Sequence, residues 1–248
     1  MRFIIAPMEN FSNIKLIAFD VDGTLAETDE YYIDKVTGAI RKVLPFLPKE
    51  GTRKFVRPFI MIGATILHGC YRLLDLVGLD DIISRIHSRV SGKDAYRYKA
   101  VDGMQNVLAD LSKKYTLGII SSGGRESTAA FVRAFKLEDC VTEVISAQDC
   151  RFIKPHPMPL KKFAEDQHTD IADTMLVGDT IYDAICANRA GAKCVLVKTG
   201  FDSEFFMRLF HKGVILDSVR DLPELLEKGS CQCSVGSVEL RDQRPETR

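Results

Sequence analysis

Several stretches of the chain are apolar at successive positions rather than at every second one. They are Leu16–Phe19 and the runs within YTLGIIS (115–121), VTEVIS (141–146), TMLVGD (174–179) and KCVLVK (193–198). Continuous apolar runs of this length predict strands covered on both faces, as in a parallel sheet. Between them the apolar spacing changes to three and four. GMQNVLADLSKK (103–114) sets Met104, Val107, Leu108 and Leu111 on one face. ESTAAFVRAFKL (126–137) and YDAICANRAG (182–191) follow, the last stopped at Gly191. Strands alternating with helices predict βαβ units and an α/β fold with a doubly wound parallel sheet.

Residues 27–99 break that rhythm. They carry helical patterning without a clear strand, as in YYIDKVTGAIRKVL (31–44) and DDIISRIHSRVSG (80–92). A crossover of this size is too long for a loop. It predicts an all-helical domain inserted after the first strand, over a core formed by residues 1–26 and 100–228. The apolar stretch 58–79 is interrupted by His68, Arg72 and Asp75, so it reads as one or two buried helices rather than a membrane span. The wider segment 55–79 is more apolar than a solvent-facing lid needs, which suits an apolar part of a substrate or a dimer contact. The polar residues 229–248 are expected to form a disordered tail.

Composition narrows the picture. The formal charge is zero, and 46% of residues are hydrophobic. This argues against broad nucleic-acid or membrane-surface binding. The run MRFIIAPMENF is too short for a signal-peptide core. Seven cysteines, an odd number, give no disulfide framework, so a reducing, cytoplasmic setting is expected. Cys231 and Cys233 form a lone C-x-C without a second ligand pair and read as free thiols. Residues 27–99 hold thirteen Lys/Arg against nine Asp/Glu. A basic lid over an acidic floor suits an anionic substrate.

In an open α/β sheet, ligands bind beyond the carboxyl ends of the strands. Asp20 and Asp22 follow the first strand, Ser121 and Ser122 the second, and Asp179 the TMLVG strand. Asp183 lies one helical turn beyond Asp179, and Lys154 precedes the alternating prolines of KPHPMP, which are expected to block regular helix there. Four carboxylates at one sheet edge repel unless a cation lies among them. Hard oxygen donors favour Mg²⁺. A lysine and hydroxyls beside the metal suit a phosphoryl group.

In order, FDVDGTL, the Ser121 strand end, KPHP and VGDTIYDA resemble the four motifs of the haloacid dehalogenase superfamily, and the 27–99 insertion resembles its helical cap. The resemblance covers residues 16–25 and about 100–225 and is closest to the phosphoglycolate phosphatase and sugar-phosphatase branch. It implies a Rossmann-like core. Asp20 would be the nucleophile that forms an aspartyl-phosphate, and Asp22 the acid and then base. Ser121, with Ser122 as its competitor, and Lys154 would hold phosphate oxygens, and Lys154 would also stabilise charge in the transition state. Asp20, the Asp22 carbonyl, Asp179 and Asp183 would bind Mg²⁺. Asp22 favours phosphoryl transfer over dehalogenation, because halide leaves without a proton. The implied partner is a small phosphorylated metabolite, acted on by a monomer or homodimer without nucleic acid or membrane. A phosphosugar mutase and a non-catalytic binding protein on the same scaffold are the alternatives. Arg125 is a further candidate for a substrate anion, His156 reads as a loop histidine, and Glu27 as a hinge or cap contact.

Overall fold

In a computed structural model, the protein is described over residues 10–60, 63, 99–200 and 202–231. The elements alternate as the apolar runs predict. Strand β1 (Leu16–Phe19) leads into helix α1 (Thr28–Val43). After the insertion come α2 (Met104–Leu111), β2 (Thr116–Ile120), α3 (Arg125–Ala134) and β3 (Glu143–Ile145). They are followed by α4 (Met158–Asp166), β4 (Thr174–Gly178), α5 (Ile181–Ala190) and β5 (Lys193–Val197). The last elements are α6 (Glu204–Phe210), β6 (Val214–Leu216) and α7 (Leu222–Cys231). The sheet is wholly parallel, in the order β3-β2-β1-β4-β5-β6.

Successive strand residues feed opposite faces. Ile17, Phe19, Leu117, Ile119, Met175, Val177, Val195 and Val197 join a core with residues of α2, α3 and α7. Leu16, Ala18, Ile120, Leu176, Cys194 and Leu196 face a second core with α4, α5 and Met207 of α6. This two-sided burial explains why the strands read as continuous apolar runs. Chain order reverses between β1 and β4, which pair side by side. The switch point therefore lies beyond Phe19 and Gly178.

The prolines after Lys154 do not exclude helix. Pro157 caps α4 and Pro159 occupies its first turn, where a missing N–H breaks no intrahelical bond. Lys154–Pro155 is a cis peptide. The insertion is helical over 28–43 and 49–60, each stretch burying an i, i+4 pair (Ile33 and Thr37; Thr52 and Val56). Asp34 and Arg53 form an ion pair between the two stretches. Phe55 and Phe59 are exposed and pack on one another, with ring centroids 5.1 Å apart. The expected helices at 80–92, and the apolar stretch 58–79 apart from residues 58–60 and 63, lie outside the described residues. Helix α7 runs into the first residues of the expected tail, and 232–248 lie outside the described residues. Among the described residues, no helix is long and apolar enough to cross a membrane.

Candidate active site

Strand register brings the first two motifs together. Phe19 pairs with Ile119 and Val177, so Asp20 emerges level with the ends of β2 and β4. The Asp20 N–H donates to the Val177 carbonyl at 2.9 Å. The chain then turns sharply through Gly23, whose φ of 82° suits glycine. A side chain there would also run into the Asp179 carboxylate. Thr24 is buried, and its hydroxyl donates to Asp179 Oδ1 at 3.4 Å.

The centre holds three buried carboxylates and one buried ammonium. Lys154 Nζ lies 2.7 Å from Asp20 Oδ1 and 2.8 Å from Asp183 Oδ1. Asp183 Oδ2 accepts from the Thr180 N–H at 3.1 Å and from its hydroxyl at 2.7 Å, a capping box at the start of α5. Carboxylate oxygens of Asp20, Asp179 and Asp183 lie within 4.8 Å of one another. Burial pushes the Asp20 carboxyl up to about 7, against the pull of Lys154, with Asp183 and Asp22 adding to the rise. Burial also raises Asp179 well above the usual carboxylate range, helped by Asp20, Asp183 and Asp202. For Lys154, burial opposes the charge, but Asp183 and Asp20 outweigh it and hold the ammonium protonated.

The three clustered carboxylates outnumber the one lysine, and every donor is a hard oxygen. Such a set fits a divalent cation, and Asp20, Asp179 and Asp183 are the side chains that could hold it. Asp22 is half-buried, and its side chain lies outside that trio.

The other sequence candidates divide. Ser121 is buried at the end of β2, where its N–H donates to Ile145 O and its hydroxyl oxygen accepts from Gly123 N–H. Ser122 is half-buried beside it. Arg125 is engaged by Asp149, 2.5 Å from Nη2, and its N–H donates to Gln148 Oε1 at 2.6 Å. His156 stacks on Phe152 at 4.2 Å, and its Nδ1 accepts from Met158 N–H. Glu27 pairs with Lys99 at 3.1 Å, and its N–H donates to Lys99 O. Thr199, Gly200 and Asp202, beyond β5, were not among the candidates. Asp202 is buried and accepts the Ile181 N–H at 3.0 Å. The strand-end rule, applied to KTGFDS after β5, would have found them.

A family model for haloacid dehalogenase-like hydrolases matches residues 17–197. The chain belongs to that family. This hydrolase is 24% identical over 216 residues to Pyrophosphatase PpaX of Bacillus mycoides, covering 87% of this chain and 98% of that protein. A crystal structure of a predicted phosphoglycolate phosphatase from Haemophilus somnus superposes with a TM-score of 0.57 at 17% identity, covering 86% of this chain and 98% of the other. A 2-haloacid dehalogenase from Pseudomonas syringae superposes with a TM-score of 0.52 at 22% identity, covering 87% and 99%. The shared fold thus spans more than one reaction, and the side chains at the sheet edge must separate them.

Proposed function

We propose that this hydrolase is a Mg²⁺-dependent phosphatase acting on a small phosphate monoester through an aspartyl-phosphate. The observation that carries this reading is the Asp20 carboxylate, buried and gripped by Lys154, with a second, more exposed aspartate two residues along. Asp20 attacks phosphorus, and the ester oxygen leaves with the proton held by Asp22. Asp22, now ionised, takes a proton from water as the water oxygen attacks the phosphoryl group. Phosphate departs and Asp20 is regenerated. Lys154 offsets charge on Asp20 and the phosphoryl oxygens, and Ser121, with Ser122 beside it, binds one of those oxygens. Asp20, Asp179 and the main-chain carbonyl of Asp22, with Asp183 close by, would hold a divalent cation, which when bound would supply positive charge for the phosphoryl group. Asp183 is the second carboxylate that holds Lys154, 2.8 Å from Nζ.

Residues 27–99 act as a cap that closes over the substrate and excludes water. A reducing, cytoplasmic setting suits the free thiols of Cys140, Cys150 and Cys186. The likeness to PpaX and to a phosphoglycolate phosphatase puts pyrophosphate and phosphoglycolate beside sugar phosphates as first substrates to try. Phosphate release from that panel, with Mg²⁺, with chelator and with Asp20→Asn, is the test. Release that disappears with chelator and with the variant is expected. Release that survives Asp20→Asn would overturn the nucleophile assignment. Absence of release from every ester by folded, Mg²⁺-supplied protein would overturn the hydrolase reading in favour of a mutase or a binding protein.

A further inference from the structure

The chain between β5 and α6 touches both halves of the site. Thr199 Oγ1 donates to the Gly23 carbonyl at 2.6 Å, holding the turn that follows Asp20. Gly200 lies directly against Asp179, so that any side chain there would collide with its carboxylate. The Gly200 Cα also lies 2.9 Å from where a Cβ on Gly23 would sit, so it helps to exclude a side chain there. Asp202, buried at 3% exposure, takes the N–H of Ile181, the first residue of α5. That N–H is one of the helix's orphan donors, which no intrahelical carbonyl can reach.

The bond matters because of what α5 carries. Asp183 sits in its first turn, bonded to Thr180 on one side and to Lys154 on the other, and Lys154 reaches Asp20. Asp179 lies one residue before the Thr180 cap. A continuous set of hydrogen bonds therefore runs from Asp202 through the start of α5 to the nucleophile. Loosening the helix start would shift Asp183 and Asp179 together, and displacements of about 1 Å at such a site can cost about 10²-fold in rate.

We infer that Asp202 is a positioning residue: by accepting the Ile181 N–H it fixes the start of α5, and with it the carboxylates that hold the cation and Lys154. The inference rests on the proposed metal-dependent reading of this site. It assigns Asp202 no contact with substrate.

The test compares wild type with Asp202→Ala and Asp202→Asn. Asparagine keeps an oxygen that can accept the same N–H, whereas alanine has none. Mg²⁺ binding is read without substrate, from the metal-dependent rise in melting temperature. The kcat and KM are then read separately on the best ester of the panel. For Asp202→Ala we expect half-saturation at about tenfold higher Mg²⁺ and a kcat lowered by about tenfold, with KM for the ester little changed. Asp202→Asn should recover most of both. Ile181→Pro supplies a second route, since proline removes the donor yet is accepted at the first helical position after an extended residue, and Thr180 has φ −123° and ψ 160°. In that background Asp202→Ala should add no further loss of Mg²⁺ affinity. Wild-type Mg²⁺ binding and kcat in Asp202→Ala would overturn the inference, as would an Asn variant as impaired as the Ala variant. If the alanine variant does not fold, Ile181→Pro alone decides: half-saturation at about tenfold higher Mg²⁺ is expected, and wild-type Mg²⁺ affinity would overturn the inference. If wild type releases no phosphate from any ester, the phosphatase reading fails, but the Mg²⁺ titration still judges Asp202.

Discussion

Lys154 is the residue on which the electrostatics of the site turn. Its ammonium is shared by two buried carboxylates, and removing one partner of such a set leaves uncompensated charge, at a cost of about 3–5 kcal/mol. Lys154→Met is therefore expected to lower the melting temperature of metal-free protein. It should also lower kcat by about 10²–10³-fold, the scale of losing one preorganised charge contact. Mg²⁺ should recover more of the lost stability in this variant than it adds to wild type. Equal Mg²⁺ responses in the two proteins would show that Lys154 and the cation do not share the same carboxylates. Asp20 gives a second test. Burial raises its carboxyl from 3.8 to about 7, so the metal-free native state holds a proton there that the unfolded chain has released. A raised native pKa contributes stability that is complete below the unfolded value and lost as pH rises through about 7. On the proposed reading, a bound cation would take the place of that proton. The melting-temperature rise on adding Mg²⁺ should accordingly be larger at pH 8 than at pH 5.5, and a rise that does not change with pH would contradict this account.

At the scale of elements, the close packing of helices on the sheet sets the site's rigidity. Gly118 in β2 lies under the Phe163 ring of α4, where an added Cβ would overlap the ring carbons. Gly118→Ala should destabilise by about 1–3 kcal/mol through overpacking, seen as a lower denaturant midpoint with an unchanged slope. His211, the C-cap of α6, is buried, with Nε2 3.3 Å from the Val214 carbonyl. Burial lowers its pKa below 6.5, and Arg208 pushes the same way. The unfolded chain then binds the proton first, so this residue's contribution is present above pH 6.5 and drains as pH falls below it. Chemical denaturation between pH 7.5 and 5 should show His211→Asn flattening that decline. The same packing explains what could be read in advance. Strands β1, β2, β4 and β5 are covered on both faces, so their apolar runs were plain, and Asp20 and Asp179 stood out at their ends. The short edge strand β6 is only half-buried. Helix α6 exposes Phe205 and Leu209 while burying Met207, so its apolar pattern points away from its contact face. Lys154 was legible as a candidate, but its pairing with Asp183 was not, because that bond joins positions 29 residues apart, with α4 and β4 between them. Asp202 escaped notice because it serves another helix's N–H rather than its own.

The whole chain passes out of the sheet layer and back through a narrow strap. Ala26 and Ala100 form an antiparallel bridge, Glu27 N–H donates to Lys99 O at 2.8 Å, and Val101 N–H donates to Leu25 O at 2.9 Å. The exit and return of residues 27–99 are thus adjacent in space, although 72 residues separate the Glu27–Lys99 ion pair. That ion pair is largely exposed on the lysine side, so it adds at most about 1 kcal/mol. The backbone bonds of the strap carry the junction. Because the two ends already meet, a short Gly/Ser linker can replace residues 28–98 with little closure cost, since that cost grows only with the logarithm of loop length. Among the described residues, the bonds that link Asp20, Lys154, Asp183, Ile181 and Asp202 run between residues of the core. The linked core is therefore expected to fold, to gain stability from Mg²⁺ and to hydrolyse an activated ester such as 4-nitrophenyl phosphate through Asp20. Discrimination among natural esters should collapse, because the groups that would enclose the rest of the substrate are gone. Comparing kcat/KM across the ester panel for the full chain and the linked core measures this. A linked core that folds and binds Mg²⁺ yet keeps the full chain's ranking of esters would assign specificity to the sheet edge rather than to the insertion.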